Sequence, residues 1–256
     1  MQAKVALYNQ KWTDVIASVS ELEALGYYNL DANYYDNFAV AREFAENEVI
    51  FSYDHQKGAN PRNGNGISAP LDWGFMAPTS NFIAEFEAND PRLLYTVRVA
   101  DKAVYKLLGT TDTKYKGDDD APANKIYIRF ADVLLWKAEA YNETGSYSQA
   151  IAIINRVRQR ARNGLTVDGT AVPAGTLPDR NAASVDKVQI KSWLIHERRV
   201  ELGFESQRFN DLKRWGIAKA VLTALGKNFQ DRNYVYPIPQ GEIDKSGGSI
   251  TQNAGY

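Results

Sequence analysis

His196-Glu197-Arg198-Arg199-Val200 begins like the helix of a zinc protease, where two histidines four residues apart hold the metal and a glutamate acts as base. The pattern fails at its last position, because Val200 stands where the second histidine is required. His55 is the only other histidine, so multi-histidine metal binding and histidine-based catalysis have almost nothing to build on. Glu197, Arg198, Arg199 and Glu201 are better read as ion-pairing residues of a half-buried helix, with Arg208, Asp211 and Arg214 as expected partners. Asp118-Asp119-Asp120 offers oxygens to a hard cation but lacks the glycine and final glutamate of an EF-hand, so a solvated acidic loop is the simpler reading. Gly58, Gly64 and Gly66 precede no Gly-Lys-Ser/Thr and open no helix, so they do not cradle a phosphate. Glycoside hydrolysis needs two carboxylates facing each other across roughly 5–10 Å, and nothing singles out a pair among 31 acids. The reading is of a non-enzyme, with no catalytic residue, no metal ligand and no cofactor.

A group of rings in polar loops remains. Tyr53, Trp73 and Phe75 accompany Asn63, Asn65, Asp72 and Arg62. Aromatic faces stack on the C–H faces of sugar rings, and amides and carboxylates bond the hydroxyls, so this composition suits a carbohydrate surface. The competing reading is that the rings pack the loop onto the helices, and for Tyr34 and Tyr35 that reading is the favoured one.

These loops hang between helices. Val5, Tyr8 and Trp12 have helical spacing, and a second helix opens at Thr13-Asp14, carries Val15, Val19 and Leu22 on one face and stops at Gly26. Residues 34–46 read as helix and 48–53 as a short strand. Residues 55–74 are a long loop dense in turn signals, with Asn60-Pro61, Asn63-Gly64 and Asn65-Gly66. A helix is expected from Pro78 to about Asn89, a strand from alternation over Leu93–Val99, and a polar loop over 109–123. Residues 126–143 form a strongly apolar helix that Gly145 ends. Ser146-Tyr147-Ser148-Gln149 reads as a capping box for the next helix, so the two form a tight antiparallel hairpin. Helices follow over 184–202, 204–215 and 217–225, and Tyr234–Pro239 is extended. Three regions result: a partial tetratricopeptide-like hairpin (1–28), a loop-rich middle with short strands (29–124) and a helical C-terminal region (125–256). The fold class is mainly α, with helical hairpins, long irregular loops and a few short strands.

Composition sets limits. The 256 residues carry 30 Lys+Arg against 31 Asp+Glu, and this balance argues against sequence-independent nucleic-acid binding. No apolar run approaches the ~20 residues that cross a bilayer as a helix. Cysteine is absent, which removes disulfides, thiol nucleophiles and a lipid-bearing cysteine from this stretch.

Several motifs in order resemble the RagB/SusD family of outer-membrane nutrient-binding lipoproteins. Arg129-Phe130-Ala131-Asp132-Val133-Leu134-Leu135-Trp136-Lys137-Ala138-Glu139-Ala140-Tyr141-Asn142-Glu143 is similar to its signature helix, and Ile154-Asn155-Arg156-Val157-Arg158 to the helix after it. Ile195 to Leu202, Phe204 to Arg208 and Asp211 to Gly216 resemble its most specific stretch. Tyr236-Pro237-Ile238-Pro239 and Gln252-Asn253-Ala254-Gly255-Tyr256 resemble its C-terminus. Pro78-Thr79 and Asp90-Pro91-Arg92-Leu93 resemble its middle. Ser206 and Ala254 depart from the family's usual Gly and Pro; the first is tolerable if its φ stays negative. The resemblance covers the C-terminal portion of such a protein. Family members carry a lipidated cysteine and further helical hairpins ahead of it, so this chain is expected to belong to a longer, lipid-anchored one.

By resemblance, the function is capture of an oligosaccharide or polysaccharide at the outer face of the outer membrane. The captured glycan passes to a TonB-dependent transporter, without bond cleavage. Trp73, Tyr53 and Phe75 would stack on the sugar, and Asn63, Asn65 and Asp72 would bond its hydroxyls. The rival is a helical scaffold that binds the transporter or peptides without glycan. Exposed loop aromatics favour the first; buried ones beside a concave helical groove favour the second. Self-association through the N-terminal hairpin is a further expectation, with Trp12, Val15 and Val19 in water or buried against a second copy.

Overall fold

The computed structural model describes residues 1–181, 183 and 185–256, which divide into two compact units, Met1–Glu205 and Ser206–Tyr256. The first unit is built on helical hairpins. Helices α1 (Gln2–Tyr8) and α2 (Trp12–Ala24) form the N-terminal hairpin, and Gly26 ends it at φ +70°, a conformation glycine adopts without strain. Strand β1 (Val49–Tyr53), α3 (Ser68–Asp72), α4 (Ser80–Ile83), α5 (Pro91–Thr96) and β2 (Lys125–Arg129) punctuate the loop-rich middle. The second hairpin is α6 (Phe130–Glu143) and α7 (Tyr147–Asn163), against which α8 (Lys187–Glu201) packs.

Helix α6 is the hub. Its Val133, Trp136 and Ala140 pack with Val15, Val19 and Leu7 of the first hairpin. On another face Leu135 and Ala138 meet Ile151, Ile154 and Val157 of α7 and Ile190 and Leu194 of α8. A helix buried around most of its circumference needs the broad apolar character the sequence displays. Val15 and Val19 are wholly buried against α6 and Trp12 packs half-buried on the same cluster, so the expectation that they face water or a second copy is corrected; Met1, Val5, Tyr8 and Leu25 are exposed in that hairpin.

Four local readings are also corrected. Residues 93–99 alternate like a strand, but 91–96 are helical, because Asp90 caps the Arg92 amide at 3.0 Å and Pro91 presets the first turn. Residues 34–46 form only short 3-10 turns, since Tyr34, Tyr35 and Phe38 converge on Tyr95 in one aromatic cluster. The helix expected from 126 begins at Phe130, because Lys125–Arg129 pairs antiparallel with β1. Ser146 makes no side-chain cap; its amide instead donates to the Tyr141 carbonyl at 2.8 Å. Ser184, where the sequence reading starts α8, lies outside the described residues.

In the second unit, α9 (Arg208–Arg214) and α10 (Ala218–Ala224) are separated by Gly216, and α11 (Gln240–Lys245) follows an extended run. Gln252 clamps that run through two 2.8 Å bonds to the Ile238 amide and carbonyl. The helix expected over 204–215 is interrupted, with Phe204 at φ +65° and Ser206 at φ +63°. Ser206 therefore takes the left-handed conformation that the family's glycine adopts freely, and the condition of negative φ is not met. Among the described residues no helix is long and apolar enough to cross a membrane.

Candidate functional site

The loop after β1 does not hang free. It is laced to the segment 117–124 before β2. The Asn65 amide donates to the Ala121 carbonyl at 2.7 Å, and its side-chain Nδ2 to Ala123 at 2.9 Å. Ser68 Oγ donates to the Asp118 carbonyl and accepts from the Asp118 amide. Asp72 accepts from the Gly117 amide at 2.7 Å and from Arg98 at 2.8 Å. Trp73 Nε1 donates to the Gly117 carbonyl at 2.6 Å. Two glycines permit this closeness: a Cβ on Gly64 would lie 2.1 Å from Asp120 Oδ1, and one on Gly117 2.3 Å from the Ser68 carbonyl.

Charge tightens the same seam. Lys57 pairs with Asp118 at 2.5 Å, and Arg62 with Asp119 and Asp120 at 2.5 and 3.3 Å. Lys57 holds the Asp118 carboxyl below its usual range, and the Gly58 amide does the same for Asp120. The three aspartates are thus engaged by the facing loop's cations and amides.

The laced loop and the strand before it carry rings outward. Trp73 is 55% exposed although its indole N–H is tied down, and Phe75 is 76% and Tyr53 54% exposed. A ring fixed at its polar edge and open on its faces is preorganised for stacking. The polar candidates divide. Asn65 is buried and uses both ends of its amide, the second accepting from the Ile67 amide at 3.2 Å. The Asp72 side chain is fully buried against Arg98 and Gly117. Both hold Trp73 and its loop in place. Asn63, half-buried, donates to the Asp54 carbonyl at 3.1 Å, and Arg62 is exposed. Tyr34 and Tyr35 are buried, and their hydroxyls donate to the carbonyls of Glu201 and Tyr105. The sequence reading did not find Gly117, Arg98 or the exposed rings Phe51 and Tyr127; the alternation of β1 and β2 was the available signal for the rings.

The stretch that looked like a zinc helix is interior. Glu197 and Glu201 do form ion pairs, with partners from upstream. Arg92 meets Asp90, Glu197 and Glu201 at 2.8, 2.5 and 2.9 Å. Arg129 meets Glu48, Glu201 and Glu205 at 2.6, 2.7 and 2.8 Å. Arg160 pairs with Glu48 and Glu201. Burial alone would raise the Glu201 carboxyl, but Arg160, Arg129 and Arg92 outweigh it and hold it well below the usual range. Burial lowers Lys106 to about 8, in spite of Glu205 at 2.6 Å. His196 sits between Glu85 and Glu87, its Nδ1 2.9 Å and Nε2 3.2 Å from them. The charges of this network bind one another.

The helix-dominated, hairpin-rich body is the SusD-like architecture. The SusD family model matches residues 95–234, more than half of the chain, and the protein belongs to this family. SusD-like protein P2 of Formosa agariphila is 33% identical over 144 residues, covering 54% of this chain and 27% of that protein. SusD-like protein P25 of the same organism is 23% identical over 95% of this chain and 55% of its own length. The chain therefore spans roughly a quarter to a half of these curated relatives. Among solved structures, surface glycan-binding protein A from Bacteroides fluxus superposes with a TM-score of 0.78 at 21% identity, over 99% of this chain and 61% of that one. Surface glycan-binding protein A from Bacteroides thetaiotaomicron, in complex with laminarihexaose, gives 0.75 at 21%, over 98% and 62%. At such identities these structures establish the shared fold.

Proposed function

We propose that this chain captures a glycan non-catalytically at the outer-membrane surface of a bacterium and passes it to a TonB-dependent, SusC-like transporter. The observation that carries the reading is Trp73: an indole pinned by its N–H to Gly117 yet more than half exposed. Phe75 is the further stacking ring of this loop, Tyr53 stands apart from it on strand β1, and Asn63 and Arg62 are the hydroxyl partners. Asn65 and Asp72 hold the loop. Family membership and glycan-named structural neighbours support the same reading. Calorimetric titration of the chain against plant, host and microbial oligosaccharides tests it. A saturable heat with one sugar class is the expected result, and a folded chain that binds none contradicts it.

A second reading has its own observation. Between α1 and α2 lies a groove of ≈ 460 Å³, whose lining includes charged Lys11, Asp14 and Glu21 and apolar Val5, Ala6 and Ala17. Its concave, mixed-charge lining suits a peptide or the transporter. It is compatible with glycan capture elsewhere, and it becomes the primary function only if the sugar titrations fail.

A further inference from the structure

We propose that the outward face of the β1–β2 ribbon is a second sugar-stacking platform, distinct from the Trp73 loop, which takes a neutral oligosaccharide chain. This rests on the glycan reading above.

A ribbon with one face on a core ordinarily turns polar residues to water. Here Ile50 and Ile128 pack beside Trp136, and Ile126 packs on the Tyr34–Tyr95 cluster, so the inner face is occupied. The outer face carries rings: Phe51 and Tyr53 are each 54% exposed and Tyr127 42%. They are contiguous. Phe51 and Tyr127 lie 5.6 Å apart at 32°, Tyr53 pairs across the ribbon with Lys125, and the Lys125 ammonium sits 5.2 Å over Tyr127. The Tyr53 ring then touches His55 at 5.0 Å. A contiguous patch of exposed rings marks a contact surface rather than scattered surface apolarity.

The occupant follows from the surroundings. The chain neighbours of His55 and Lys125 bring the opposite sign: Asp54, which accepts from Ser52 at 3.2 Å, and Asn124, whose amide donates to Glu43 at 2.9 Å. Both signs are present, so nothing selects a charged sugar or a nucleic acid. A protein strand needs a regular edge, and here the register slips at Phe51, which pairs with Ile128 and returns to register at Ser52. Flat faces bordered by hydroxyl-bonding groups of both signs fit pyranose rings. Gly117, which anchors Trp73, lies ten residues before Tyr127 on one segment, at most roughly 35 Å away along the chain. One polysaccharide strand is long enough to touch both platforms and so bind more tightly than to either alone.

The test is affinity electrophoresis of the whole 256-residue chain through gels containing laminarin, xylan, galactomannan or starch. Phe51→Ala/Tyr127→Ala, Tyr53→Ala, Tyr127→Phe and Trp73→Ala are run beside it, each checked for fold by circular dichroism. Phe51→Ala/Tyr127→Ala and Tyr53→Ala should each weaken retardation by the retained polysaccharide roughly 3- to 10-fold, as lost stacking would. Tyr127→Phe should keep it, and the losses should exceed those for a hexasaccharide. Retardation unchanged in the ribbon variants, but lost in Trp73→Ala, overturns the ribbon platform and leaves the glycan reading standing. A folded chain retarded by none of the four polysaccharides overturns both.

Discussion

The buried ion-pair network of the first unit and its laced loop depart from the usual distribution of residue types. The interior holds Arg92, Arg129, Arg160, Glu48, Glu197 and Glu201, charged and buried. The loop and the adjoining ribbon hold Trp73, Phe75, Tyr53, Phe51 and Tyr127, aromatic and exposed. The buried charges contact one another at hydrogen-bond distance, so their chemistry is spent on holding α5, α7, α8 and β2 together. Trp73 is tied down at its polar edge, the ribbon rings stand on paired strands, and all five rings remain substantially exposed, so their chemistry is directed outward. Stability and recognition are therefore carried by separate groups and are separable by mutation.

The largest effect should come from the interior. Glu201→Ala leaves Arg92, Arg129 and Arg160 buried without their shared carboxylate, and losing one partner of a buried ion pair costs about 3–5 kcal/mol. A thermal melt should show a drop of roughly 6–20 °C. Next is the seam. Gly117→Ala sets a methyl 2.3 Å from the Ser68 carbonyl, so the loops must part and Trp73 loses its anchor. Overpacking of this kind costs about 1–3 kcal/mol, and sugar binding should fall with it, read by calorimetry.

Acid should loosen the interior network. Burial would raise Glu87, but the Arg158 hydrogen bond and charge bring it down to about 2 from 4.5. Glu201 and Glu205 are lowered too, against their burial, chiefly by Arg160 and Arg129 respectively. For each, the unfolded chain takes up the proton first as pH falls. Their stabilisation is complete above about pH 4.5 and is lost progressively toward pH 2. Melts from pH 7 to 2 should show Tm falling mainly below 4.5, and a flat profile there would contradict the network's role. The smallest effect is Ser206→Gly, which relieves a side chain at φ +63° and should stabilise by about 0.5–1 kcal/mol, seen as a small rise in Tm.

Much of this was legible in residue order. The hairpins, the turn at Gly145 inside the second of them and the family motifs follow from apolar spacing and local signals. The departures arise where distant contacts outvote local ones. Leu93, Tyr95, Val97 and Val99 alternate, yet Asp90 and Pro91 start a helix through them. Lys125–Arg129 has the apolar content of a helix start, but β1 supplies a strand to pair with it. At the candidate site, the composition pointed to the loop rings. It did not separate Asn65 and Asp72, which face inward to Ala123, Gly117 and Arg98, from Trp73, which faces out, because that division depends on a segment some fifty residues away.

The most direct measurement is a paired one on Trp73→Ala: its melting temperature, and its calorimetric affinity for a sugar that the wild-type chain binds. Recognition carried apart from stability requires Tm to stay within about 2 °C while affinity falls at least ~10-fold, or 1.4 kcal/mol. Unchanged affinity, or a loss matched by an equal loss of stability, would contradict that separation.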